Sequence, residues 1–94
     1  MKQHITIKQR DELSRKGLER FGEWTEWSGF PSIGQMIEFL IDNAMGDMDL
    51  FICINATGSS LWRGIDQKDK KLGGGAGISL RDALWMAVKE VLEK

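Results

Sequence analysis

Leu72-Gly73-Gly74-Gly75-Ala76-Gly77-Ile78 runs directly into Ser79-Leu80-Arg81-Asp82-Ala83-Leu84-Trp85-Met86-Ala87-Val88-Lys89-Glu90-Val91-Leu92. Leu80, Leu84, Ala87, Val88 and Val91 recur at helical spacing and form one apolar stripe that must be covered. Ser79 and Asp82 have the spacing of a reciprocal cap, in which each side chain accepts from the other residue's amide. The glycines before it read as a loop, since a strand interior with four glycines is weak. A third strand within Leu72 to Ile78 is the less favoured reading.

Upstream, Asp49 to Asn55 contains the β-forming run Leu50-Phe51-Ile52-Cys53-Ile54, which predicts a buried strand. Ala56-Thr57-Gly58-Ser59-Ser60 is a turn, and Leu61-Trp62-Arg63-Gly64-Ile65-Asp66 alternates as a returning strand. Before the hairpin, Ile33, Met36, Ile37, Leu40, Ile41 and Ala44 follow the helical template closely, opened by the capping pair Ser32 and Gln35. A first helix spans Ile5 to Trp24, opened by Thr6 and Gln9, with Leu13, Gly17, Leu18, Phe21 and Trp24 on one side. Thr25 to Pro31 breaks the chain.

The expected fold is a small single α+β domain over residues 1–94. An N-terminal helical arm, 1–27, precedes an αββα unit, 32–94, whose β-hairpin is covered by helices. A two-stranded sheet is marginal in water, so its open edge predicts a homo-oligomer in which a second copy adds its own strands.

Composition excludes several functions. Thirteen Lys and Arg against fourteen Asp and Glu leave a formal charge of −1, which disfavours nucleic acid as the main partner because phosphate neutralisation needs surplus cations. The one cysteine, Cys53, forms no internal disulfide and reads as a buried, inert thiol. One histidine gives no metal-site spacing. No apolar run approaches a membrane span and the first residues lack a signal-peptide core, so a cytoplasmic setting without membrane contact is expected. Glu38 and Asp42 lie one turn apart, a spacing too common on solvated faces to mark a catalytic pair. The chain is expected to be no enzyme and to need no cofactor or metal.

Two candidate binding regions remain. Gly73, Gly74, Gly75 and Gly77 allow main-chain amides to converge at the helix start at Ser79, flanked by Lys70, Lys71 and Arg81. That pattern suits a phosphate or other small anion, although it lacks the Gly-Lys-Ser/Thr of nucleotide hydrolases, and a plain connector is the simpler reading. Trp27 and Phe30 in the break, with Trp62 and Arg63 on the second strand, are candidate partner-binding residues.

Three blocks also resemble a known group. They are Ile5-Thr6-Ile7-Lys8-Gln9 with Glu12-Leu13-Ser14 and Lys16-Gly17, then Ser32-Ile33-Gly34-Gln35-Met36-Ile37-Glu38-Phe39-Leu40, and Asp82-Ala83-Leu84-Trp85 with Ala87-Val88-Lys89-Glu90-Val91-Leu92. Together they resemble short uncharacterised proteins of phages and prophages of low-GC Gram-positive bacteria. The αββα order is similar, more loosely, to small phage proteins with α-β-α sandwich domains. The resemblance implies a phage-encoded accessory protein in the host cytoplasm, and it brings no catalytic residues. The expected function is therefore binding of a host protein, in concrete form inhibition of a host defence system. The alternative is sequestration of a phosphorylated nucleotide by the glycine loop and the helix start at Ser79.

Overall fold

The computed structural model describes residues 4–26, 29–65 and 68–94. It is a small α+β domain in which, among the described residues, four helices lie with a three-stranded antiparallel sheet. The helices are α1 (Ile7–Arg10), α2 (Arg15–Thr25), α3 (Ile33–Asn43) and α4 (Leu80–Glu93). The strands are β1 (Asp49–Asn55), β2 (Gly58–Gly64) and β3 (Lys70–Ala76), in the order β1-β2-β3.

The organising helix forms where its stripe predicts. Ala83, Leu84 and Val88 are fully buried, and Trp85, Ala87 and Leu92 nearly so. α4 packs on β2 and β3 with one flank and on α2 and α3 with the other. Met36 and Leu40 of α3 and Phe21 of α2 complete the core around it.

The hairpin is corrected to three strands. The stretch expected as a glycine loop is β3, pairing with β2 from Arg63↔Lys70 to Gly58↔Ala76, with a bulge opposite Leu61 and Trp62. Its glycines are what let α4 come down onto the sheet. A Cβ at Gly73 would stand 2.8 Å from the Ala83 carbonyl oxygen and 3.1 Å from Met86 Cβ. Close backbone approach therefore takes the place of side-chain packing along this strand.

The first helix is also corrected, from one element to two. The Thr6 and Gln9 cap forms as expected, with Thr6 N donating to Gln9 Oε1 at 2.9 Å and Gln9 N to Thr6 Oγ1 at 3.1 Å. The helix then stops at Arg10, and Ser14 caps a new one by accepting from Gly17 N at 3.2 Å. Glu93, from the far end of α4, reaches this second start and accepts from Ser14 N at 2.7 Å. A carboxylate at a helix N-terminus is favoured by the dipole and by the free amides there. The side chain and then the backbone of Ser14 hold the Glu93 carboxyl below its ordinary 4.5. Gly17 leaves room beside it: a Cβ there would stand 2.5 Å from Glu93 Oε1, so a larger residue would turn this flexible side chain aside.

The expected reciprocal cap of α4 is half formed. Ser79 Oγ accepts from Asp82 N at 3.2 Å, but the Asp82 carboxylate turns to the N-terminal segment instead and accepts from Gln9 Nε2 at 2.7 Å and Arg81 Nε at 2.9 Å. Burial pushes this carboxyl up, and the hydrogen bonds from Arg81, Gln9 and Ser79 outweigh it and hold it below its ordinary 3.8. Arg81 also donates to the His4 carbonyl at 3.4 Å. The start of α4 thus anchors the chain's first described residues.

Candidate docking surface

Strand alternation divides the sheet into two unlike faces. On one, Leu50, Ile52 and Leu61 pack into or against the core beneath α4. On the other lie Phe51 and Cys53 of β1 and Ser60 and Trp62 of β2, all half-buried, and none of the apolar ones is part of the core or packed against it. Among the described residues no helix covers this face.

Phe51 and Trp62 are direct cross-strand partners, and Lys71 of β3 is the partner of Trp62 on its other side. One row across three strands therefore carries Phe, Trp and Lys. The Lys71 ammonium stands 6.0 Å from the Trp62 ring centroid, within cation–π range. Trp62 Nε1 donates to Ser60 Oγ at 3.1 Å, so its polar edge is satisfied within the sheet and the rest of the ring is apolar contact surface. Cys53 and Ser60 form the next cross-strand pair on this face. The thiol expected to be buried is in fact half-buried on this face, because a sheet covered on one side only leaves alternate residues open.

The candidate anion residues are distributed otherwise than a loop would place them. Gly73, Gly74 and Gly75 lie within β3, Gly77 donates to the Thr57 carbonyl, and Ser79 caps α4. Arg81 is buried and held by Asp82, away from solvent. Lys70 and Lys71 are exposed on β3, where Lys70 is the cross-strand partner of Arg63 and Lys71 that of Trp62. The flanking amides and cations thus do not converge on one cradle.

The partner candidates also divide. Trp62 stands on the open face, while its neighbour Arg63 turns to the helical side and donates from NH1 to the Ala44 carbonyl at the end of α3, 3.2 Å away. Phe30 is half-buried beneath the Arg10 guanidinium, 5.5 Å from its ring centroid. Trp27 lies outside the described residues. Phe51 and Cys53 were missed as surface residues because a continuous apolar run reads as buried on both sides. The signal that would have placed them is period-2 alternation once a single covering layer is assumed.

Among the described residues no group of three His, Cys, Asp or Glu side chains is placed to hold a metal ion, and no helix is long and apolar enough to cross a membrane. No protein-family model, curated protein or solved structure matches the chain.

Proposed function

We propose that this chain is a non-enzymatic interaction protein that docks a partner protein through the open face of its sheet. The observation that carries the reading is the Phe51–Trp62 cross-strand pair on a face that no described element covers. Paired aromatics at the centre of an apolar patch are what protein interfaces concentrate their binding energy on. The single lysine in the row, Lys71, is held against Trp62, and the net charge of −1 gives no surplus for a phosphate backbone. The three-block resemblance to phage and prophage proteins supplies the setting: the partner is a host protein, and blocking a host defence component is the activity.

Affinity capture from a lysate of a low-GC Gram-positive host tests this with wild type, Phe51→Ser and Trp62→Ser, each checked for folding by far-UV circular dichroism. Losing a central aromatic anchor costs about 2 kcal/mol or more, so each variant should weaken retention of a specific host polypeptide by about 30-fold. Equal retention by folded variants, or retention of single-stranded RNA instead, overturns the proposal.

A further inference from the structure

β1 and β3 are the two edges of the sheet, and they are built differently. A strand edge offers a row of unpaired amides and carbonyls to any other strand, so sheet proteins blunt their edges with lysines, prolines or bulges. β3 has such devices: Lys70 and Lys71 are exposed on it, its ladder with β2 is bulged beside Leu61 and Trp62, and Gly74 at a φ of +93° departs from regular strand geometry. β1 has neither lysine, proline nor bulge. Its seven residues pair with β2 in unbroken register and carry the apolar run Leu50-Phe51-Ile52-Cys53-Ile54.

Which groups of β1 point outward follows from the turn. The two-residue loop Ala56-Thr57 closes on the pair Asn55↔Gly58, which is the hydrogen-bonded kind in such hairpins, and bonded and non-bonded pairs alternate from there. Leu50, Ile52 and Ile54 therefore turn their amides and carbonyls away from β2. Ser59, opposite Ile54, fits this parity by donating its amide to the Ile78 carbonyl at 2.9 Å, on the β3 side. Among the described residues no backbone hydrogen bond beyond the β1–β2 ladder reaches those three residues of β1. Ile54 shares the helical face with Leu50 and Ile52, yet it is 57 % exposed and outside the core.

We propose that β1 pairs antiparallel with β1 of a second copy of this chain, about a two-fold axis through Ile52, so that the two sheets become one. The strand is complementary to itself in this register. Ile52 meets its own copy and Ile54 meets Leu50 of the second copy; all of these residues offer outward amides and carbonyls, so the bonds are exchanged and the exposed isoleucine is covered. On the open face Phe51 meets Cys53 of the second copy. At each end Asp49 stands opposite Asn55, whose Oδ1 already accepts from Thr57 N at 2.9 Å and Thr57 Oγ1 at 2.6 Å, which leaves its NH2 group to donate to the carboxylate. No like charges face each other. A slide of one residue would set outward groups against inward ones, and a slide of two would set Asp49 against Cys53 or Phe51 against Asn55. The pairing uses the edge of the sheet rather than its open face, and it does not rest on the docking proposed above.

Sedimentation velocity of the intact protein in reducing buffer, over a concentration series, reads the assembly. Wild type should pass from monomer to dimer as concentration rises. Ile54→Lys places a lysine on the paired edge of each copy and should weaken dimerisation by about 30-fold; the side chain is exposed, and far-UV circular dichroism checks folding. Met86→Lys is the control. It also replaces an exposed apolar residue, but one that lies against Gly73 on the β3 side, and it should leave the dimer unchanged. Amide hydrogen exchange of wild type, followed by NMR, needs no variant: the Leu50, Ile52 and Ile54 amides should exchange fast at low concentration and be protected at high concentration. A monomer at every concentration, dimerisation of folded Ile54→Lys as tight as wild type, equal weakening by both variants, or a dimer whose Ile52 and Ile54 amides stay unprotected overturns the proposal.

Discussion

Gly74→Ala is expected to destabilise the domain by about 3 kcal/mol or more, enough to leave a large unfolded population in a chain of this size. Two effects coincide at this residue. Its φ of +93° is a conformation that L side chains rarely adopt, and a Cβ built there collides with the Ser59 carbonyl oxygen and stands 2.8 Å from Ser60 Cα. Both neighbours are backbone of β2, so relief requires breaking the ladder rather than turning a side chain. Gly75→Ala is the internal control. Its φ of +148° is also unusual, but the nearest atom to its Cβ is the flexible Lys71 Nζ at 3.7 Å, so the cost falls to about 1 kcal/mol of backbone strain. Urea unfolding of the two variants side by side reads the difference. A flexible loop would tolerate both substitutions alike.

Leu61→Ala should have an effect of similar size, about 3 kcal/mol or more, within the range for large-to-small changes at fully buried sites. Leu61 is fully buried, and its cross-strand partners are Ile52 and Gly73. On the β3 side there is no side chain to relax into the space, so the cavity stays open. The thermal midpoint should drop by roughly 12–24 °C, given about 4–8 °C per kcal/mol for a domain near this length. Differential scanning calorimetry measures it directly.

These two positions show what was and was not legible in the amino-acid sequence. The α4 stripe, the α3 stripe and the caps at Thr6 and Ser32 were readable because each rests on contacts within a few residues. The split of the first helix was only half readable. Ser14 is a capping residue, but what makes a second start worthwhile is Glu93, which is remote in sequence. β3 was misread for a related reason. Hydropathy periodicity needs side chains, and glycines carry none, so a strand held by its ladder and by the close approach of a helix leaves no periodic trace. The Ser79–Asp82 cap half failed because Gln9 and Arg81, brought in by the fold, compete for the same carboxylate. Of the open sheet face, Trp62 was identified from alternation. Phe51 and Cys53 were not, since which faces of a sheet are covered is decided by the number of helical layers, a global property.

Phe51, Trp62 and Lys71 align only once the register of three strands is known.

Docking through the open face is tested most directly by alkylation of Cys53, the chain's one thiol, which lies on that face in the edge strand β1 beside the Phe51–Trp62 row. A maleimide reagent followed by mass spectrometry reads its accessibility in the free protein and in the complex captured from host lysate. Modification of the free protein under native conditions, with protection in the complex, is the predicted result. A thiol that reacts equally in both states would contradict docking through this face, and one that reacts in neither would contradict the open face itself.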